Sequence, residues 1–340
     1  MLAQHFQSVH KDDINSYTEQ QKQIKGQVSE FINTTGNADQ KYLKQTKADK
    51  FEINRLIRNL PNNKASGIDK ISNKIIKKLS QKTITQLKNI INAIFKLGHF
   101  PNTYKTAVIV PIPKPNKDSN NPENYRPISL LSTTSKFIEK IINNRILKAQ
   151  KQLKINSEIQ FGFKRKHNTT QQLARIVNDI IINFNKDKVT TLTSLDLEKA
   201  FDKVWIDGLI YKMMNFKFNK YLIKLIYSYL TNRKFKVAVN NEFSDTKKTQ
   251  RGVPQGSVLG PTLFAIYLYD IPQFLKTNTA LYADDTAIYS HSFNAQVSTT
   301  QNQLHIYKLE KYSEDWKLKL NANKTEHILF TRKFTKYSQK

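Results

Sequence analysis

The spacing of apolar residues changes repeatedly along the 340-residue chain, and each change predicts a different element. Apolar positions at helical spacing predict helices just after residue 51, over 75 to 97, over 134 to 153, around 173 to 176, over 220 to 230, around 263 to 267 and over 304 to 316. Short β-branched or alternating runs predict strands over 107 to 112, 189 to 195, 235 to 239 and 327 to 330. Residues 1 to 48 are polar, which predicts a weakly helical lead or linker. The pattern therefore predicts an α+β chain, ordered from about residue 50 and frayed over residues 333 to 340.

A tight β-hairpin is predicted at residues 279 to 289, with two adjacent carboxylates, Asp284 and Asp285, at its tip. Neighbouring carboxylates on an apolar ribbon repel each other and lose hydration, so we expect a cation to hold them together. Hard oxygen ligands favour Mg²⁺ or Mn²⁺, and a two-metal site needs a further carboxylate from elsewhere in the chain. Asp196, directly after the predicted strand at 189 to 195, is the candidate. The simpler alternative is a hairpin turn that uses Asp because its backbone tolerates turn conformations.

Two further acids follow Asp196 closely in the sequence. We expect a helix to begin after Asp196, and acids are common in the first turn of a helix without any metal. Glu198 and Asp202 are therefore predicted to be solvated or capping residues. Trp205 is predicted to be a packing residue.

The charge balance points to a polyanionic partner. Lys and Arg number 55 against 27 for Asp and Glu, so the net charge is +28, which suits nucleic acid. A generically basic protein, or one that lies on an acidic membrane, is the alternative. There is no Cys, which excludes disulfides and thiolate metal sites. No signal-peptide pattern and no apolar run of membrane-spanning length occur, so we expect an intracellular protein, nuclear or cytoplasmic, with no membrane and no disulfide-linked partner.

Three loops carry further candidate chemistry. Lys114 and Lys117 follow the strand at 107 to 112, and Arg126 lies in an extended stretch, so a basic β-ribbon is predicted. The turn at 160 to 170 interleaves aromatic rings with basic residues, where contact with template or primer phosphates is plausible. The basic residues of that turn are Lys164, Arg165 and Lys166.

The third loop spans residues 251 to 261 and precedes an apolar helix. Gly252 and Gly256 permit close backbone approach, and the helix N-terminus offers free N–H groups, so a nucleotide or template base could rest there. An ordinary Gly/Pro helix entry is the alternative interpretation.

Three segments in this order, at residues 196 to 202, 252 to 257 and 282 to 285, resemble the reverse transcriptases of non-LTR retrotransposons, most closely the jockey type. The resemblance extends from about residue 50 to 332 through further matching stretches. These stretches are residues 64 to 69, 111 to 115, 124 to 131, 160 to 163 and 320 to 325.

The resemblance implies a right-hand polymerase fold. It places the fingers at 49 to 190 and a palm with an antiparallel sheet at 191 to 332, after the lead segment at 1 to 48. A thumb is absent or truncated, and neither an N-terminal endonuclease domain nor a Cys/His knuckle fits, so the chain looks like a fragment. A missing thumb implies weaker grip on the primer-template duplex and lower processivity.

The same resemblance assigns roles residue by residue. It implies that Asp196, Asp284 and Asp285, with the Leu197 carbonyl, hold two Mg²⁺ ions, for which Mn²⁺ is a possible substitute. Lys324 matches a residue that could protonate the leaving pyrophosphate. The implied nucleotide-binding residues are Arg126, Lys114 (or Lys117), Phe201 as the gate against a 2′-OH, Gln255, Gly256 and Tyr282.

The function implied by the resemblance is RNA-directed DNA synthesis, with nucleotidyl transfer from a dNTP to the 3′-OH of a DNA primer on an RNA template. An inactive element remnant that only binds RNA is the first alternative. A metal nuclease is the second, although the sequence offers no evident water-activating base. Two departures from the family pattern, Tyr104 in place of Trp and Lys166 in place of Gly, put local geometry in question.

Overall fold

The computed structural model describes residues 1–35, 38–240 and 242–332. The helices in chain order are α1 (Leu2–Val9), α2 (Glu19–Asn33), α3 (Gln40–Thr46), α4 (Lys50–Arg58), α5 (Asn73–Lys77), α6 (Gln81–Leu97), α7 (Thr133–Gln152), α8 (Thr169–Phe184), α9 (Ile206–Asn215), α10 (Lys220–Leu230), α11 (Gly260–Tyr267) and α12 (Ala295–Asp315). The strands are β1 (Thr106–Pro113), β2 (Tyr125–Leu130), β3 (Val189–Leu195), β4 (Lys234–Val239), β5 (Glu242–Phe243), β6 (Lys247–Lys248), β7 (Asn278–Tyr282), β8 (Asp285–Ser292) and β9 (Glu326–Phe330). The α+β prediction is confirmed. The predicted frayed tail at 333 to 340 lies outside the described residues.

The chain forms two compact units, each made of two stretches of sequence. Unit 1 contains residues 1 to 155 and 201 to 267, and unit 2 contains residues 156 to 200 and 268 to 340. The predicted border near residue 190 does not coincide with either boundary, because β3 belongs to the same unit as the 33 residues before it. The division into fingers and palm stays a prediction. In the described ranges, no helix combines the length and the apolar character needed to cross a membrane.

Unit 1 is built on a mixed sheet with strand order β2-β1-β4-β5, with β6 pairing to β4. β1 and β2 form the predicted ribbon, an antiparallel pair in which Arg126 lies opposite Ile112. β1 and β4 run parallel. Apolar side chains of these strands form a core with α1, and its buried members are Phe6, Ala107, Ile109, Leu131, Phe235 and Val237.

The described residues of the segment 1 to 48, predicted as a weakly helical lead or linker, contain helices α1 to α3 and belong to unit 1. Phe6 of α1 and Tyr42 of α3 are buried. In α2, Ile24 and Val28 occupy positions four residues apart and are buried, so they line one face of an otherwise polar helix. Thr18 and Gln21 form a capping box at the start of α2. The sparse apolar stripe was masked in the sequence by the surrounding Gln and Lys residues.

Unit 2 is built on a four-stranded sheet with order β7-β8-β3-β9, in which every strand pair is antiparallel. One face packs against α8, where Ile176 and Ile180 contact Ala280 and Tyr289. The other face packs against α12 through buried polar contacts, including Thr191 Oγ1 to Ser298 Oγ at 2.6 Å. Asn168 caps α8 by accepting from the backbone N–H of Gln171, so the helix begins directly after the basic turn. The sheet is therefore covered on both faces, and its strand ends are left to carry chemistry.

The helix predicted directly after Asp196 does not form. Residues 197 to 205 make turns, and helix α9 begins only at Ile206. Lys199 has φ 49°, a left-handed conformation that interrupts an α-helix. The N–H of Glu198 is also used elsewhere, since it donates to the carbonyl of Lys319 at 2.8 Å. Trp205 is 1% exposed, so its packing role is confirmed.

Candidate functional site

Strand register in unit 2 brings three chain segments together at one end of the sheet. Leu195 of β3 pairs with Thr286 of β8, so the next positions along the two strands are Asp196 and Asp285. On the other side of β3, Ser194 pairs with Glu326 of β9, and continuing that register places Lys324 beside Asp196. Because side chains across antiparallel strands lie about 5 Å apart, Asp196 sits between an acid and a cation.

Asp196 is held by the segment before β9. Its carboxylate accepts from Lys324 Nζ at 2.9 Å and from Asn321 Nδ2 at 3.2 Å. Its backbone carbonyl accepts from the N–H of Asn321 at 2.8 Å. Leu197 and Leu320 form an isolated antiparallel bridge. Two hydrogen bonds flank this bridge, from Asn321 N–H to the Asp196 carbonyl and from Glu198 N–H to the Lys319 carbonyl. Neither of them involves the Leu197 carbonyl.

The hairpin predicted at residues 279 to 289 is confirmed, with Asp284 in the turn and Asp285 starting β8. Burial raises the pKa of Asp284, and the negative charges of Asp285 and Asp196 raise it further. The backbone N–H of Asp284 and the Lys324 ammonium oppose this shift in the pKa. The three carboxylates and Lys324 therefore belong to one electrostatic cluster.

The donor chemistry of this cluster fits a hard divalent cation, because it consists of mutually repelling carboxylates. The described ranges contain no group of three or more His, Cys, Asp or Glu side chains gathered closely enough to hold a metal ion. The position beside Asp196 is instead taken by the ammonium of Lys324. The metal-ligand assignment of Asp196, Leu197, Asp284 and Asp285 stays a prediction.

In unit 1, the loop at residues 251 to 261 packs on strand β2. The N–H of Ser129 donates to the Gln255 carbonyl at 3.0 Å. Gly256 has φ 96°, and a Cβ there would lie 2.9 Å from the Ser129 carbonyl oxygen, so a side chain is excluded. These contacts bring Gln255 and Gly256 to the strand that carries Arg126, three residues before Ser129.

The prediction that Asp202 is a solvated or capping residue is wrong. Asp202 is 5% exposed and accepts from Gln255 Nε2 with both carboxylate oxygens at 2.9 Å. A carboxylate only accepts hydrogen bonds, so the amide nitrogen of Gln255 must face Asp202 and its oxygen must face away. Glu198 differs, because its side chain is 31% exposed and pairs with Lys319 at 3.1 Å.

The aromatic residue predicted as a gate has a defined support in unit 1. The ring of Phe201 stacks on Phe264 of α11, with centroids 4.6 Å apart and planes at 20°. Its carbonyl accepts from the N–H of Val253 at 2.8 Å, which ties the segment after Ala200 to the glycine-containing loop. Tyr282, in unit 2, ends β7 opposite Asp285 and is half-buried.

The basic residues predicted to contact nucleotide or nucleic acid differ in whether their side chains are hydrogen-bonded or exposed. In unit 1, Lys114 Nζ donates to the Glu123 carbonyl at 2.8 Å, whereas Arg126 is exposed. In unit 2, Lys164 Nζ donates to the Ser157 carbonyl at 3.1 Å, and Arg165 and Lys166 are exposed. Lys117 is exposed as well. Their nucleic-acid and nucleotide roles stay predictions.

The structure accounts for one departure from the family pattern in the basic turn. Lys166 has φ 63°, the left-handed conformation that a glycine adopts without strain. A lysine therefore occupies a left-handed position in this turn, for which glycine is better suited.

Sequence reasoning missed three polar residues that support the carboxylate cluster of unit 2 and the Gln255 loop of unit 1. Asn321 fixes Asp196, as described above, and Gln160 contacts the hairpin turn in unit 2. In unit 1, Glu139 is fully buried and accepts from the N–H of Val258 at 2.8 Å, which anchors the loop that carries Gln255. A polar residue placed inside an apolar helical face, as Glu139 is, was the available signal.

Comparison with known families matches residues 112–338 to the family described as reverse transcriptase (RNA-dependent DNA polymerase). The chain is 34% identical over 290 residues to the RNA-directed DNA polymerase from the mobile element jockey of Drosophila melanogaster, covering 83% of the chain and 32% of that relative. It is 37% identical over 290 residues to the probable RNA-directed DNA polymerase from transposon BS of the same species, with 83% and 32% covered. For the probable RNA-directed DNA polymerase from transposon X-element, also of that species, the identity is 34% over 312 residues, with 90% and 34% covered. The chain thus spans about a third of the length of these curated relatives.

Proposed function

Because the chain belongs to the reverse transcriptase (RNA-dependent DNA polymerase) family, with jockey-type non-LTR retrotransposon enzymes among its relatives, we propose that it carries out RNA-templated DNA synthesis. In this reaction the 3′-OH of a DNA primer attacks the α-phosphate of a dNTP, and pyrophosphate leaves. The observation that supports the proposal is the register of β3 with β8, which runs from Leu195 and Thr286 toward Asp196 and Asp285, the acid next to Asp284 in the hairpin.

The carboxylate cluster would hold two divalent ions, Mg²⁺ or Mn²⁺, through Asp196, Asp284, Asp285 and the Leu197 carbonyl. When bound, these ions lower the pKa of the primer hydroxyl and neutralise charge on the phosphates. Lys324 pairs with Asp196, and its ammonium is a candidate proton donor to the leaving pyrophosphate. The supporting observation is the shared electrostatic environment of the three acids.

The nucleotide-binding roles belong to unit 1. Arg126 would bind triphosphate oxygens, because its guanidinium is a planar donor and is exposed on the ribbon, with Lys114 or Lys117 adding charge. The Phe201 ring, backed by Phe264, would exclude a 2′-OH. The outward oxygen of Gln255 would accept from the incoming nucleotide.

The assignment of partners follows from charge and from the family. An RNA template and a DNA primer are polyanions, and the net charge of +28 favours their binding. Lys164, Arg165 and Lys166 are proposed to contact backbone phosphates, and Tyr282 to pack near the primer end. The fingers are proposed at 49 to 190 and the palm at 191 to 332.

Primer extension tests the proposal. The full chain is incubated with an RNA template, an annealed DNA primer, dNTPs and Mg²⁺, and compared with Asp284→Ala. We expect extension by the unaltered chain and a loss on the order of a thousandfold in the variant, because a phosphoryl-transfer site loses one of its charge-stabilising groups.

The control is Glu198→Gln, an acid two residues from Asp196 whose partly exposed side chain pairs with Lys319. This variant should retain activity within about threefold of the unaltered chain. Equal incorporation by the unaltered chain and by Asp284→Ala would contradict the proposal. Salt-sensitive RNA binding with no metal-dependent extension would favour the inactive RNA-binding alternative.

A further inference from the structure

The turn that presents the two hairpin carboxylates contains a backbone conformation that its residue does not favour. Tyr282 pairs directly with Asp285, so only Ala283 and Asp284 form the turn. Ala283 has φ 60°, in the left-handed region, where the Cβ of an ordinary residue is crowded by the following carbonyl. A non-glycine residue persists there only when its surroundings stabilise it.

A single side chain contacts both backbone groups of Ala283. The Gln160 amide oxygen accepts from the N–H of Ala283 at 3.0 Å, and its Nε2 donates to the Ala283 carbonyl at 3.0 Å. Gln160 is 6% exposed, so these hydrogen bonds form away from water. Because Ala283 is itself buried, its polar groups would lack partners without Gln160.

The segment that carries Gln160 is fixed to the hairpin on both sides of this residue. The N–H of Phe161 donates to the Leu281 carbonyl, and the N–H of Leu281 donates to the Ile159 carbonyl, both at 2.9 Å. The N–H of Gly162 donates to the same Gln160 oxygen at 2.8 Å. A Cβ on Gly162 would lie 2.1 Å from the Ala283 nitrogen, so only glycine fits. Residues 159 to 162, the supporting segment, therefore lie beside β7, joined to it by an isolated parallel bridge between Gln160 and Leu281.

A second buried glutamine of unit 2 provides a natural comparison. Gln172 of α8 donates to the carbonyls of Ile159 and Leu281, at 3.1 and 3.3 Å. It joins the supporting segment to β7 but does not reach the turn. Gln172 therefore attaches the supporting segment to β7, whereas Gln160 contacts Ala283 directly. Variants of the two residues distinguish these two roles.

We propose that Gln160 is a positioning residue of the carboxylate cluster: its amide holds Ala283 in the left-handed conformation and so sets the direction in which Asp284 and Asp285 leave the turn. The catalytic consequence rests on the proposed function, whereas the conformational consequence does not. If Gln160 has this role, relieving the strain at Ala283 will make Gln160 partly dispensable. Glycine adopts positive φ without that strain, so Ala283→Gly is the compensating change.

Two measurements on the full chain test the proposal. The first is hydrogen–deuterium exchange of the peptide covering residues 280 to 286, which reports on the Ala283 amide without any catalysis. The second is primer extension as a function of Mg²⁺ concentration. The variants are Gln160→Met, which keeps size and loses both hydrogen bonds, Gln172→Met as the matched control, Ala283→Gly, and the double variant Gln160→Met with Ala283→Gly.

We expect Gln160→Met to exchange this peptide at least about tenfold faster, to need about fivefold more Mg²⁺ for half-maximal extension and to lose about tenfold in rate. Gln172→Met should stay within about threefold of the unaltered chain in each measurement, with a similar melting temperature. The double variant should recover at least about fivefold of the lost rate relative to Gln160→Met, while Ala283→Gly alone stays near the unaltered chain.

Equal effects of Gln160→Met and Gln172→Met, or no recovery in the double variant, would overturn the proposal and leave Gln160 as a general structural residue. Should Gln160→Met not fold, Gln160→Glu takes its place, because it keeps both acceptor contacts and puts a carboxylate oxygen where the donor to the Ala283 carbonyl was. Its rate loss must then be relieved by Ala283→Gly. Absence of extension by the unaltered chain would contradict the proposed function, and the exchange measurement would still decide the conformational role.

Discussion

Two groups of acids in this chain have different environments. In unit 1, Glu139 accepts from Ser135 Oγ and from the N–H of Val258, and Asp202 accepts twice from the Gln255 amide. In unit 2, Asp284 has two other acids as electrostatic neighbours, and the pKa of its carboxyl is raised by burial and by their charges. An acid satisfied by neutral N–H and O–H donors serves the scaffold, whereas acids that repel one another, one of them already paired with the Lys324 ammonium, are suited to bind a cation.

The largest effect should come from removing one acid of the unit 2 group. Asp196→Asn keeps the shape of the side chain and its contact with Asn321 but removes the charge, so we expect extension to fall on the order of a thousandfold. Single-turnover primer extension at saturating dNTP measures this loss. A fall of less than about tenfold would show that Asp196 is not part of the reacting centre.

A smaller effect is expected in unit 1, where an acid orients a neighbour. Asp202→Asn permits the Gln255 amide to turn over, because Asn both donates and accepts. We expect the apparent KM for dNTP to rise about tenfold, with kcat changed less than about threefold, since the role proposed for Gln255 is to contact the bound nucleotide. Steady-state extension with varied dNTP checks this. An equal fall in kcat and no change in KM would place Asp202 with the unit 2 acids instead.

Only the acids of the unit 2 group could be identified as site residues from the sequence. Asp284 and Asp285 are adjacent, and Asp196 ends a recognisable buried strand, so local pattern was sufficient to select them. That they share an electrostatic environment depends on the register of β3 with β8, which no local pattern specifies. The prediction that Asp202 is solvated or caps a helix is wrong because it assumed a helix directly after Asp196. The left-handed conformation of Lys199 prevents that helix.

The burial of the N-terminal segment is not predicted from the sequence for a related reason. Residues 2 to 46 carry too few apolar positions to predict burial by composition, yet Phe6 completes the core of the unit 1 sheet. Such burial depends on tertiary contacts with residues more than 100 positions away. The polar supports Gln160 and Asn321 were missed for the same reason, since their partners are distant in sequence.

The smallest effect is expected from a buried cation of unit 1, and it concerns the free energy of unfolding. Lys105 is 2% exposed, and burial, together with the nearby Arg233, lowers its pKa to about 8 from an ordinary 10.5. The unfolded chain therefore keeps this proton at pH values where the folded chain has released it. The free energy of unfolding should accordingly rise between about pH 8 and pH 10.5 on account of this group.

Lys105→Met removes the cost of burying that charge, so we expect it to stabilise the chain by about 1 to 3 kcal/mol at pH 7, and by progressively less as the pH rises above 8. Urea unfolding at pH 7, 8.5 and 9.5 measures the difference between the two proteins. Lys234→Met, an exposed neighbour on β4, is the control and should change stability by less than about 0.5 kcal/mol. A destabilised Lys105→Met at pH 7 would show that the ammonium has a favourable partner.

The most direct test of the central claim is a Mn²⁺ titration of the full chain, with free Mn²⁺ followed by electron paramagnetic resonance. The variants are Asp196→Asn, Asp284→Asn and the double variant. If the two acids serve one cation centre, each single variant weakens the same Mn²⁺ binding step at least about tenfold, and the double variant weakens that step further than either. Binding unaffected by both changes, or single variants that each weaken a different Mn²⁺ binding step, would show that Asp196 and Asp284 do not share a site.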